Sequence, residues 1–137
     1  MRTTHSAGGV VLNENKVIVV SQKGQAWKIP GGHVRDKESN IEAAKREIYE
    51  ETGVQDLELV KELGTYQREK MPSESIDDKS ELKVITIFLF KTSQNNLKSH
   101  DKDNPAVKWV AINDVEKTLT NPKDKAFFRK IKEKIKV

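Results

Sequence analysis

The sequence predicts a single α/β domain, a mixed sheet sandwiched with helices, and three observations predict it. Runs of β-branched and apolar residues recur along the whole chain, at Val10-Val11-Leu12, Lys16 to Gln22, Leu82 to Phe90 and Val107 to Val110. Between the second and third runs lies a segment with a helical apolar period and helix signals at both ends. A second helical period closes the chain. The 137 residues suffice for one such sandwich over positions 1–137, with no internal repeat and no low-complexity tract.

The first strand is expected from about His5 to Leu12 and the second from Lys16 to Gln22, with Glu14-Asn15 turning the chain between them. Lys23-Gly24-Gln25 marks the next turn. Trp27-Lys28-Ile29-Pro30 then runs extended into Gly31-Gly32, where two missing side chains let the backbone approach a ligand closely; the pair also reads as a plain tight turn. Ser39 followed three residues later by Glu42 is a capping box, and Gly53 is a left-handed stop, so the stretch between them is helical. At about 100° per residue, Ile41, Ala44 and Ile48 form one apolar stripe, and Glu47, Glu50 and Glu51 gather roughly a quarter-turn away. These carboxylates fall at the edge of the core.

Beyond the helix, Leu63-Gly64-Thr65-Tyr66-Gln67 reads as a strand, and positions 68–81 form a long polar loop that either covers a substrate or merely connects. Leu82 to Phe90 is the most apolar stretch and should be a central strand, with Lys83 at its lip. A second polar loop, 92–105, leads to an alternating strand at Ala106 to Ile112 with Trp109 in the core. Asn113 with Glu116 resembles a cap for a short helix through Leu119. Asn121-Pro122 breaks it, and a terminal helix from about Asp124 buries Phe127, Ile131 and Ile135.

Three carboxylates at i, i+3 and i+4 repel one another, and a single Arg46 does not neutralise them. The pattern therefore asks for a cation from outside the chain. Oxygen ligands without cysteine or a nearby histidine pair suit a hard ion, Mg²⁺ or Mn²⁺, held partly by protein and partly by phosphate and water. On composition alone the same glutamates would be a solvated helix face. Fixed glycines and the spacing from Glu38 to Arg46 are what a solvated face does not need.

Gly32, Glu38, Arg46, Glu47, Ile48, Glu50, Glu51, Gly53 and Val54 match G-x5-E-x7-R-E-U-x-E-E-x-G-U, with U aliphatic, at every defined position from 32 to 54. In this the chain resembles the Nudix hydrolase family. The resemblance implies a Nudix-type α/β/α sandwich with a mixed sheet and a hydrolase using Mg²⁺, or Mn²⁺ in its place, to cleave a nucleoside diphosphate linked to another moiety. It implies metal ligation by Glu47, Glu50, Glu51 and the Gly31 carbonyl. Glu38 and Arg46 are expected to pair and pin the loop onto the helix, with Arg46 orienting a catalytic carboxylate and Gly32 and Gly53 shaping the backbone. The general base is a box glutamate such as Glu50 in some members and an acidic residue of a later loop in others. Asp103 lies where members resembling diadenosine tetraphosphate hydrolases carry a glutamate, and it also fits a simple Asp/Asn turn. For the substrate, Lys23 and Lys83 are candidate phosphate contacts and Tyr66 a candidate stacking surface; each is also an ordinary surface lysine or core aromatic. His33 reads as a solvent-facing loop residue.

SAGGVVLN, residues 25–34 and Trp109-Val110 are most similar to the diadenosine polyphosphate hydrolase branch, although the tyrosine of that branch near Lys70-Met71-Pro72 is missing. The expected substrate is thus a dinucleoside polyphosphate, then a nucleoside triphosphate, then ADP-ribose. An RNA 5′ pyrophosphohydrolase and a nucleotide-binding module without activity are the remaining readings. Hydrophobic residues make up 35% and charged residues 34%, no apolar run approaches a membrane span, and the N-terminus lacks a signal-peptide pattern, so a cytoplasmic protein is expected. The absence of cysteine excludes disulfides and thiolate metal sites. The net charge of +4 would steer a polyphosphate as well as a nucleic acid; the lysines of the terminal helix read as a wet face, which disfavours nucleic acid. A monomer or homodimer is expected.

Overall fold

The computed structural model of the protein describes residues 2–22, 26–69, 81–100 and 106–135. Seven strands and three helices follow one another as β1 (Arg2–Asn13), β2 (Lys16–Gln22), β3 (Ala26–Lys28), β4 (Gly31–His33), α1 (Asn40–Thr52), β5 (Glu58–Glu69), β6 (Glu81–Lys91), β7 (Ala106–Ala111), α2 (Ile112–Thr118) and α3 (Pro122–Ile131). The sheet runs β3-β2-β1-β6-β5, with β4 added to β1 and β7 to β2. β1 and β6 are parallel over Arg2↔Glu81 to Leu12↔Lys91 and every other pair is antiparallel, which makes the sheet mixed.

Successive side chains on a strand point to opposite faces, and the strands here are apolar at both parities, so the sheet needs cover on both sides. Val10, Leu12, Val17, Val19, Ile85, Ile87 and Leu89 pack on one face with Val115, Leu119, Phe128, Ile131 and Ile135 of the last two helices and the turn after them. Val11, Ile18, Val20, Phe88 and Phe90 pack on the other with Ala43, Ala44 and Ile48 of α1. The result is the expected three-layer sandwich, with α1 as the one helix of its layer among the described residues.

The ends of α1 are local. Ser39 accepts from the Glu42 N–H at 3.1 Å while Glu42 accepts from the Ser39 N–H at 2.9 Å, and Gly53 closes the helix at φ +80°, a conformation glycine adopts without strain. The later helices depart from expectation. Asn113 caps nothing: β7 runs straight into α2, Ala111 is the capping residue without a side-chain bond, and the Ile112 N–H is held by the Asn15 carbonyl at 3.0 Å. A contact from the β1–β2 turn therefore sets that start. α3 begins at Pro122, with Asn121 accepting from the Lys123 N–H at 2.8 Å, and its core residue is Phe128 rather than Phe127. Phe127 instead stacks on Tyr66 at 4.4 Å between ring centres. Trp109 is half-buried and donates its indole N–H to the Asn95 carbonyl at 2.9 Å.

Candidate functional site

Antiparallel pairing of β4 with β1 sets Gly32 beside Ala7 and Gly31 beside Gly8, and the double glycine thereby faces the middle of α1. At Gly32 the reason for a bare backbone is direct: a Cβ there would lie 2.5 Å from the Glu47 carboxyl carbon. Glu51, with its side chain only 5% exposed, accepts the Gly31 N–H on Oε1 at 2.8 Å. Glu47 is 18% exposed and Glu50 40%, so the three carboxylates grade from the interior outwards and Glu50 is the one open to solvent.

Arg46 is the hub of this edge. Its Nε and Nη2 donate to the two oxygens of Glu38 at 2.8 and 3.0 Å, Nη2 also to the His33 carbonyl at 3.0 Å, and Nη1 to Glu47 at 3.0 Å and Glu50 at 3.4 Å. The pair expected between Glu38 and Arg46 is therefore formed and bidentate. Arg46, and after it the Arg35 N–H, bring the Glu38 pKa from 4.5 down to about 2. Glu38 in turn, with Glu47, raises that of the guanidinium.

The expectation that the box carboxylates lack a counter-charge inside the chain needs correcting. Arg46 serves Glu47 and Glu50, Arg35 approaches Glu50 at 3.9 Å, and Lys28, which the sequence reading passed over, stands 3.6 Å from Glu51 and donates to the Gly31 carbonyl at 2.8 Å. In this arrangement each carboxylate is turned to a cationic side chain, and among the described residues no three carboxylate or imidazole groups stand together as a metal grip. The donor chemistry, three carboxylates and the carbonyl of Gly31, is nevertheless that of a hard divalent ion.

On the far side of the double glycine lies a narrow cleft, walled by Ser6, Lys28, Tyr66, Arg68, Lys83 and Asp124. Arg68 Nε donates to Asp124 Oδ1 at 2.9 Å, and the Tyr66 hydroxyl donates to the same oxygen. Burial first, and then the Asp124 charge, push the Tyr66 pKa well above 10, so this hydroxyl stays a donor. Asp124 Oδ2 and Ser6 Oγ are buried without a hydrogen-bond partner among the described residues. At the start of β6, buried Glu81 accepts from Thr4 at 2.7 Å and Arg2 at 2.9 Å and lies 3.3 Å from His33 Nε2. Thr4 foremost, with Arg2 and His33, brings its pKa from 4.5 to about 2.

Of the residues expected at the site, the structure brings together Gly31, Gly32, Glu38, Arg46, Glu47, Glu50 and Glu51, while Gly53 caps the end of α1. Lys83 is not an exposed lip residue; it is 8% exposed and lines the cleft. Tyr66 lines the cleft too, but one face of its ring is already covered by Phe127, so that face is closed to a base. Lys23 and Asp103 lie outside the described residues. The chain leading towards Asp103 is tied to α1, with the His100 N–H on the Glu50 carbonyl at 2.7 Å and the rings of His100 and Tyr49 stacked at 4.8 Å. Lys28, Arg68, Glu81 and Asp124 went unnoticed in the sequence. Lys28 alone offered a signal there, as a lysine three residues before Gly31 in an otherwise apolar strand.

The model of the NUDIX domain matches residues 2–131. A nucleoside triphosphate pyrophosphatase/Nudix hydrolase fusion protein of Bifidobacterium longum is 35% identical over 99 residues, covering 69% of this chain and 18% of its own length. The chain thus spans less than a fifth of that relative. An RNA pyrophosphohydrolase of Pelagibacter ubique is 26% identical over 144 residues, covering 96% of this chain and 90% of its own. A C. elegans Ap4A hydrolase superposes with a TM-score of 0.76 at 20% identity, over 96% of this chain and 97% of that one, a likeness of fold. No helix among the described residues is long and apolar enough to cross a membrane.

Proposed function

The chain belongs to the NUDIX domain family, and on that premise we propose that it is a divalent-metal-dependent pyrophosphohydrolase acting on a nucleoside 5′-polyphosphate. The observation that carries this reading is the carboxylate edge on α1, where Glu47, Glu50 and Glu51 gather against Gly31-Gly32. A polyphosphate with its cations needs such an edge; the recess beside it, about 30 Å³, has room for one small polar group. Ser6 Oγ and Asp124 Oδ2, without a partner among the described residues, are the atoms that such a small group would satisfy, because a buried polar atom without one is costly. Lys83, which lines the same recess, is the candidate phosphate contact.

Glu47, Glu50, Glu51 and the Gly31 carbonyl would hold Mg²⁺ or Mn²⁺. When bound, the ion neutralises diphosphate oxygens and lowers the pKa of the attacking water. Glu50, the most open of the three, accepts the proton of that water, and Arg46 holds its Oε1. Glu38, with both of its oxygens engaged with the guanidinium, fixes the orientation in which Arg46 meets Glu47 and Glu50.

Within this class the nucleoside triphosphate reading draws on a putative 8-oxo-dGTP diphosphatase of Bacillus subtilis, 42% identical over 73 residues, which cover 52% of this chain and 48% of that one. A 5′-triphosphorylated RNA is the second reading, favoured by the Pelagibacter relative, which matches nearly the whole of both chains. The dinucleoside polyphosphate branch, suggested by the segments around the box, comes third. A Mg²⁺-dependent assay comparing dGTP, triphosphorylated RNA, diadenosine tetraphosphate and ADP-ribose separates them. Glu50→Gln is expected to lower kcat on the turned-over substrate by about 10²–10⁴-fold with the fold intact. Full activity in both Glu50→Gln and Glu51→Gln would remove the reading.

A further inference from the structure

The proposed reaction leaves one buried charge beside the carboxylate edge without a part to play. Lys28 ends β3 and is 9% exposed. Its ammonium donates to the Gly31 carbonyl at 2.8 Å and stands 3.6 Å from Glu51 Oε2, while Oε1 of the same carboxylate accepts the Gly31 N–H at 2.8 Å. A cation thus already sits between two of the oxygen groups that the metal-dependent reading gives to the divalent ion.

We propose that Lys28 is a built-in counter-cation of this site, holding the Gly31 and Glu51 oxygens together in the metal-free chain and giving way to the divalent ion, so that it sets how tightly the ion binds. The inference rests on the metal-dependent reading and adds a residue that competes with the ion. A carboxylate as enclosed as Glu51 needs a positive partner when no ion is present. The same proximity makes the ammonium repel an arriving divalent ion, or forces it to withdraw. Lysine suits this exchange because its charge rides on a flexible four-carbon stem, with the cleft beside it to receive the displaced group. Arg46 does not suit it, being held by both oxygens of Glu38 and by the His33 carbonyl.

The test is Mn²⁺ binding to the full chain without substrate, followed by the electron paramagnetic resonance of the free ion, in the parent, Lys28→Met and Lys28→Gln. The expected result is a Kd lower on the order of tenfold in both variants. Their Tm should fall in chelator and return to the parental value in saturating Mn²⁺. A residue that only packs would lower Tm equally with and without Mn²⁺ and leave Kd unchanged; that result overturns the proposal, as does weaker binding. Should Lys28→Met fail to fold, Lys28→Gln carries the measurement. In the unaltered protein, the Lys28 Cε and Nζ resonances should shift on Mg²⁺ addition, and immobility under saturating ion would also overturn it. Absence of Mn²⁺ binding in parent and variants alike would bring down the metal-dependent reading together with this one, whereas equal binding in all three brings down only the role of Lys28.

Discussion

Arg46 and Arg68 each hold a carboxylate at 2.8–2.9 Å, but they reach it in opposite ways. Arg46 meets Glu38 eight residues away, on a loop and a helix that are continuous in sequence, with side chains 18% and 15% exposed. Arg68 meets Asp124 across 56 residues, from β5 to α3, with side chains 4% and 2% exposed. The difference matters energetically because solvent screens the first pair and not the second. It also assigns them different work: the box pair orders groups that must face water and ligand, while the cleft pair ties two layers of the sandwich together.

The largest expected effect of breaking this contrast is on the buried side. Asp124→Ala removes the buried carboxylate that the Arg68 guanidinium and the Tyr66 hydroxyl share and should cost about 3–5 kcal/mol in urea unfolding. Replacing both partners together, Arg68→Met with Asp124→Leu, should recover most of that loss, since well-packed apolar groups substitute for a buried pair. A double variant as unstable as Asp124→Ala would mean that the cleft depends on charge.

Arg46→Met should be milder in stability, about 1–2 kcal/mol, because its partners can turn to solvent. Its larger consequence is expected in catalysis, where kcat should drop well before the fold is lost. Ser39→Ala removes one cap of α1 and should cost about 1 kcal/mol by the same unfolding measurement, with kcat nearly unchanged.

The smallest effect is an acid one, shared between the box loop and the start of β6. Glu38 and Glu81 both have folded pKa values of about 2 against an ordinary 4.5. Between those values the unfolded chain binds more protons, so their contribution to stability is complete above pH 4.5 and is lost as pH falls towards 2. Glu81→Gln should flatten the fall of stability with acid over that window. An unchanged slope would show that Thr4 and Arg2 do not hold the ionised form.

The same contrast explains which parts of the molecule were legible beforehand. α1 was readable because a capping box, a left-handed glycine and an apolar stripe are written within one turn or two, and so was the pair between Glu38 and Arg46 once the spacing was recognised. The strands were readable as well, since residues apolar at both parities demand cover on both faces. Asn113 misled because a good capping residue competes poorly with a carbonyl supplied by the β1–β2 turn. Phe127 misled because the helical period does not say which of two adjacent phenylalanines meets the core and which meets Tyr66.

Sequence by itself determined the carboxylate edge, because its residues are near neighbours on one helix and the backbone period places them whatever the rest of the chain does. It determined in the same way the sandwich and the family. Only the tertiary structure decided that Lys28 faces Glu51, that Arg68 and Tyr66 share Asp124, and that Lys83 is enclosed. Those contacts depend on which strands become neighbours and in what register, and no local pattern of side chains encodes the sign or position of a charge that arrives from 23 to 58 residues away.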